Sequence, residues 1–106
     1  MPQTYMLVFA VPVTHAALVR EAVGKAGAGK QGNYSFCSFS VKGTGRFLPE
    51  AGANPAIGEV GKLEEVEEER VECLCDAERV DEVVAALKAA HPYEEPAFAL
   101  YPIEIR

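Results

Sequence analysis

The sequence is short of several things. It has only three cysteines, two histidines and ten Lys or Arg against sixteen Asp or Glu. The net charge of -6 excludes nucleic acid and an anionic membrane surface as main partners. No apolar run approaches the roughly 18 residues that a membrane span needs. The opening MPQTYMLVFAVPVTH lacks a basic leader, and Pro12 interrupts its apolar run, so no signal peptide is expected. An odd number of cysteines without a secretory signal points to free thiols in a reducing compartment, the cytoplasm. Cys73 and Cys75 lie two apart, on one face of any strand. They read either as a soft-metal pair or, more commonly, as two buried small hydrophobes. No Ser-His-Asp set, H-E-x-x-H or C-x-x-C is present, so no catalytic set can be named.

What is present is an ordinary globular composition, with 49% hydrophobic and 25% charged residues in 106 positions. That is one domain, residues 1–106, able to bury roughly 65% of its unfolded surface. Thr4 to Val11 is a β-rich run closed by Pro12. Thr14 is a candidate N-cap. The stretch after it puts Val19, Ala22, Val23 and Ala26 on one helical stripe, ended by Lys25 and Gly27. Asn33 to Val41 alternates as a second strand. A Gly- and Pro-rich loop follows, from Lys42 to between Lys62 and Glu65. Arg70 to Cys75 is a third strand. Asp76 caps a second helix carrying Val80, Val83, Val84, Leu87 and Ala90 at helical spacing, and Pro92 stops it. Ala97 to Ile105 is the last strand.

The order β-α-β, long loop, β-α-β predicts an α+β, ferredoxin-like fold. Four antiparallel strands form a sheet with two helices on one face. Strands 1 and 4 are apolar on both faces, which a sheet with one solvated face is not. Met6, Val8 and Ala10 oppose Leu7, Phe9 and Val11, and Ala99, Tyr101 and Ile103 oppose Phe98 and Leu100. Helices on one side leave the other apolar face bare. Covering ~300 Å2 of it is worth several kcal/mol at ~25 cal/mol per Å2. A homo-oligomer built on the open face is therefore expected; the competing expectation is that the central loop folds over it.

Three motifs invite chemistry. GAGKQG, Gly27 to Gly32, spells G-x-G-x-x-G but follows a helix and opens a strand, the reverse of a dinucleotide site. It reads as a turn whose glycines take positive φ. EEVEEE, Glu64 to Glu69, reads as a solvated strand approach. HPYEEP, His91 to Pro96, is the densest polar cluster. Its His91 with Glu94 or Glu95 suits a metal or an acid–base pair, while a histidine closing a helix also has an electrostatic reason to be there. The central loop is long for a compact domain, and such loops are often functional. Arg46, Asn54, Glu59 and Lys62 are its candidate ligand-binding residues, suited to a small anion.

The segments GAGKQGNYSFCSFSVKGTGRF, GANPAIGEVGKLEEVEEERVE and AAHPYEEPAFALYPI strongly resemble the CutA/PII-like insert domain of the YqfO (Nif-three-like, GTP cyclohydrolase type 2 homolog) family. HPYEEP also resembles the C-terminal motif of the CutA divalent-cation-tolerance proteins. The resemblance covers nearly the whole chain and implies the same ferredoxin-like fold and a trimer, with a dimer as the alternative. Full-length family members carry this piece between two halves that hold a two-metal site, so the resemblance implies no hydrolase activity for the piece itself. In PII proteins the loop between strands 2 and 3 binds ligands, and Lys42 to Lys62 stands in its place. Three functions follow as expectations. The first is a non-enzymatic ligand-binding, regulatory or accessory module. The second is a CutA-like divalent-metal protein using His91, Glu94, Glu95 and Cys37. The third is an enzyme whose site lies between subunits, with His91 and Glu95 as its acid–base pair.

Overall fold

Alternation of apolar residues dictates the sheet. A computed structural model describes residues 3–106. The elements are β1 (Thr4–Pro12), α1 (Ala16–Lys25), β2 (Phe39–Phe47), β3 (Glu64–Asp76), α2 (Val80–Ala90) and β4 (Phe98–Ile103). The strands form one antiparallel sheet in the order β2-β3-β1-β4, the ferredoxin-like arrangement. Leu7, Phe9 and Val11 of β1 and Val71, Cys73 and Cys75 of β3 bury one face against Val19 and Val23 of α1 and Val83 and Leu87 of α2. Phe98 and Leu100 of β4 pack on the same core. Of the expected stripes, Val19, Val23, Val83 and Leu87 are buried and Ala26, Val80 and Ala90 pack against them, while Ala22 and Val84 are only part-buried. All three thiols are free, and Cys73 and Cys75 are buried in the core. Burial pushes the Cys73 thiol up to about 12, which keeps it protonated and apolar within the core.

The second strand lies further along the chain than the periodicity of 33–41 suggests. The glycine-rich segment before it takes up its own backbone groups. The Gly29 N–H donates to the Leu74 carbonyl at 2.7 Å, and the Cys37 N–H donates to the Gly29 carbonyl at 3.0 Å. Gln31 and Tyr34 exchange bonds across a tight turn. Gly27, Gly29 and Gly32 all have positive φ, as the turn reading of G-x-G-x-x-G requires. Phe36 also has positive φ (59°) and lies against Gly24 of α1, where a Cβ would meet its ring.

Strand β2 therefore begins at Phe39 and runs through the glycines of KGTGRF to Phe47, within what reads from sequence as loop. The acidic run 64–69 is its partner strand and not a mere approach to one. Opposite charges across the ladder explain why so polar a hairpin holds: Lys42 faces Glu69, and Arg46 faces Glu65 with its Nε 2.6 Å from Oε2. Beyond Pro12, which pairs with Glu68, this hairpin has no β1 beside it. The overhang stretches the molecule to 47 × 24 × 22 Å, with a radius of gyration of 14.6 Å against ~13 Å for a compact chain of this length.

Two caps differ from expectation. Thr14 contacts the His15 ring at 2.9 Å instead of the helix, and His15 is the N-cap. Asp76 accepts a bond from Thr4 at 3.5 Å, and a 3-10 turn, Ala77–Arg79, separates it from α2. The second face of the sheet is as apolar as expected in β1 and β4. Phe39 and Val41 join it from β2, opposite Glu72 and Arg70. The central loop does not fold over this region: Phe39, Val41 and Tyr101 are 67%, 50% and 51% exposed.

The turn geometry separates two glycines. A Cβ on Gly29 (φ +79°) would lie 2.4 Å from the Cys37 carbonyl oxygen, whereas one on Gly32 (φ +57°) would meet nothing. Gly32→Ala should cost ~1 kcal/mol in urea unfolding, the left-handed penalty alone. Gly29→Ala should cost ~3 kcal/mol, because backbone must also move. Equal losses would contradict this account of the turn.

Candidate functional site

The polar residues of interest gather at one end of the sheet, on the face away from the helices. After α2 the chain turns at His91 and crosses beside the end of β1. There the Ala10 N–H donates to the Ala97 carbonyl at 3.1 Å. His91 is 5% exposed, and both ring nitrogens are engaged. Its Nε2 donates to the Ala10 carbonyl at 2.8 Å, and its Nδ1 accepts the Tyr93 N–H at 3.1 Å. Only the neutral ring with its proton on Nε2 satisfies both. Burial, the largest influence, lowers the pKa of His91, against smaller raising effects from the Ala10 bond and the Glu68 charge.

This turn carries Tyr93 onto the open face. Its ring stands edge-on to Phe47 with centroids 5.4 Å apart, and its hydroxyl donates to Glu68 Oε2 at 2.8 Å. Burial first, then the bond to Glu68, raises the Tyr93 pKa, so the phenol remains a proton donor. Glu68 is 8% exposed. It fits because Gly45 on β2, diagonal to it and paired with Val66, has no side chain: a Cβ there would overlap Glu68 Oε1.

Loop 48–63 folds back toward this cluster. Its base is closed by the Gly61 N–H donating to the Pro49 carbonyl at 2.8 Å, and its middle by the Asn54 N–H donating to Glu94 Oε1 at 2.9 Å. Between the loop, the HPYEEP turn and the sheet lies a cavity of about 600 Å3. This is the usual size of a small-molecule site. Phe47, Leu48, Pro49 and Ile57 give it an apolar wall, and Glu68 and Tyr93 form its floor.

The expected site residues divide. Arg46 lines the cavity but is paired with Glu65. Asn54 uses its backbone, not its side chain, to tie the loop to Glu94. Glu59 and Lys62 form a separate exposed turn, the Lys62 N–H donating to the Glu59 carbonyl at 3.2 Å, and neither lines the cavity. Glu94 and Glu95 do line it, together with Glu50 and Glu68. Four carboxylates and one already paired guanidinium make a poor seat for the anion expected from sequence.

The four expected metal ligands are not brought together. His91 is held by backbone, and Cys37 faces a separate cavity of about 220 Å3 beside α1, which Cys73 also lines. Among the described residues no three His, Cys, Asp or Glu side chains converge as a metal site. The carboxylate that sequence reasoning missed is Glu68, one of five glutamates between 64 and 69. Its only signal was the glycine-bearing strand opposite.

A histidine held neutral in the fold stabilises above its unfolded pKa near 6.5. That contribution is lost as pH falls from there toward the lower folded value, because the unfolded chain takes up the proton first. The urea midpoint should therefore fall between pH 7 and 5.5, and His91→Gln should flatten that slope. An unchanged slope in the variant would remove His91 as its cause.

No protein-family model matches the chain. The GTP cyclohydrolase 1 type 2 homolog of Halalkalibacterium halodurans is 56% identical over 99 residues, which is 93% of this chain and 27% of that protein. The protein of the same name from Mycobacterium tuberculosis is 55% identical over 93 residues, 88% of this chain and 24% of that one. The crystal structure of a Bacillus cereus protein related to NIF3 superposes with a TM-score of 0.85 at 46% identity, over 98% of this chain and 26% of the other. The periplasmic divalent cation tolerance protein CutA of Archaeoglobus fulgidus gives 0.70 at 20% identity, over 97% and 86% of the two chains, a likeness of fold alone. The chain spans about a quarter of the length of the relatives it matches in sequence. Over nearly its whole length it is similar to one segment of the GTP cyclohydrolase 1 type 2 homologs, and it shares its fold with CutA.

Proposed function

We propose that the chain is a non-enzymatic binding module that works as a homo-oligomer, a trimer in preference to a dimer, in a regulatory or accessory role. The cavity between loop 48–63 and the HPYEEP turn carries the proposal. It combines an apolar wall with a few fixed polar groups on a rigid sheet, the usual make-up of a ligand site. Its titratable groups favour binding over acid–base catalysis. His91 has no free nitrogen to offer, and Tyr93 keeps its proton on Glu68. An acid–base pair of His91 and Glu95 would first have to break the bonds that hold His91. A divalent-metal role would draw on Glu94 and Glu95 without His91 and Cys37. The free thiols suit a reducing compartment.

The oligomer rests on the second sheet face. Phe39, Val41 and Tyr101 form, around a Val8 that is already buried, a surface that a solitary chain leaves wet. Burying it symmetrically between copies removes that cost. Native mass spectrometry and sedimentation of untagged protein test both parts. The expected result is a trimer or dimer at micromolar concentration that retains a small molecule. Val41→Asp should give a folded monomer, verified by circular dichroism. A wild-type monomer at ~100 µM, free of any bound molecule, would overturn the proposal.

A further inference from the structure

We propose that the cavity takes a small organic cation: a primary ammonium on a compact apolar body, with Glu68 as its charge partner. This rests on the reading of the chain as a binding module and names the class of its ligand. The first observation is the charge of the wall. Glu50, Glu68, Glu94 and Glu95 border the space, and the one guanidinium there, Arg46, gives its Nε to Glu65. An anion would meet net repulsion on entry.

The second observation is independent of that count. Glu68 is more than nine-tenths buried, yet only one of its oxygens has a hydrogen-bond partner. Oε2 accepts the Tyr93 hydroxyl, while Oε1 lies over Gly45 with no donor. Among the described residues no polar side-chain atom is sealed off without a partner, so Oε1 is reachable and not entombed. An ionised carboxylate only accepts, and a half-satisfied one in an apolar wall is stabilised by an incoming donor, best a charged one. Tyr93 cannot serve twice, because its single proton is already given to Oε2.

The third is what surrounds that oxygen. Phe47 and Tyr93 put aromatic rings in the same cavity wall as Glu68, and an aromatic lining favours an ammonium over a carboxylate. Leu48, Pro49 and Ile57 then require an apolar body behind the charge. A divalent metal is the other cation to consider, but no three metal-ligating side chains converge among the described residues. An ammonium, by contrast, needs only one good carboxylate, with the others as a diffuse field.

The test uses the untagged chain in its native assembly. Phenethylammonium, 2-phenylethanol and 3-phenylpropionate, matched in size, are titrated while amide and methyl resonances are followed by NMR. Phenethylammonium is expected to shift resonances of Phe47, Ile57 and Tyr93 and to bind at least ~10-fold more tightly than the alcohol, with the carboxylate weaker still. Glu68→Gln keeps an oxygen for the Tyr93 hydroxyl and removes the charge. It should weaken the amine ~10-fold or more and leave the alcohol unchanged, while Glu59→Gln, outside the cavity, changes neither. Should Glu68→Gln fail to fold, the double variant Glu50→Gln, Glu95→Gln carries the test, with a ~3-fold loss that 1 M salt erases. Equal binding of amine and alcohol, or an amine affinity indifferent to Glu68, overturns the ammonium assignment and leaves the binding module standing. Zinc that shifts the same resonances and displaces the amine overturns it in favour of a metal. If no probe touches the cavity and the native protein carries no small molecule, the binding module fails with it.

Discussion

Everything in this molecule follows from a sheet that is apolar on two sides and helical on one. Leu7, Phe9, Val11 and Val71 are fully covered by α1 and α2, and that layer fixes the fold. The opposite side is divided into two regions by what lies over it. At one end the HPYEEP turn and loop 48–63 arch over Gly45 and Glu68 without filling the space beneath them. Along the remainder Phe39, Val41 and Tyr101 stay bare. One physical problem, an unpaired apolar face, thus produces both the cavity and the surface available to a second copy.

The cavity depends on a small number of tethers. His91 fixes the turn by bonding to the Ala10 carbonyl, Tyr93 reaches from that turn to Glu68, and Glu94 catches the loop backbone at Asn54. Each bond crosses a large sequence separation, and each is a modest net contributor of about 1 kcal/mol. Their value lies in geometry: they hold a polar turn against a strand and keep the aromatic rings of Phe47 and Tyr93 at a fixed angle. The neutral state of His91 belongs to the same device, since a second proton on the ring would face the Tyr93 N–H. His91, expected from sequence either to sit at the helix end for electrostatic reasons or to serve a metal or an acid–base pair, has both ring nitrogens engaged by backbone.

The sequence was a good guide wherever burial sets the pattern. Both helices, β1, the core half of β3 and the two-faced apolar strands follow directly from periodicity, because buried positions admit few residue types. It was a poor guide where charge and glycine replace burial. KGTGRF and EEVEEE pair as strands with Lys42 opposite Glu69 and an Arg46–Glu65 ion pair across the ladder, a long-range match invisible to local propensity. The glycines that signal a loop in KGTGRF are there for a different reason at Gly45, where the Glu68 carboxylate occupies the space of a side chain. Conversely, NYSFC alternates like a strand but is held in a turn by Gly29. Of the candidate site residues, Glu94 and Glu95 of the HPYEEP turn line the cavity. Of the basic ones, Arg46 lines it while paired with Glu65, and Lys62 lies outside it in the exposed turn with Glu59.

The placement of Glu68 also bears on how the chain tolerates its own acidity. Carboxylates on an exposed hairpin repel one another, and neighbouring glutamates on β3 alternate between its two faces. Glu69 goes to the helix side and meets Arg20 at 2.6 Å, and Glu65 meets Arg46. Glu68 alone turns inward to a neutral hydroxyl, a weaker partner than either guanidinium. A buried carboxylate satisfied on one oxygen by a phenol is a costly arrangement if the fold is the only consideration, since an apolar residue at 68 would pack against Phe47 and Tyr93 without it. The cost is intelligible if the free oxygen has a further partner. Glu68 lines the cavity, which has room for such a partner.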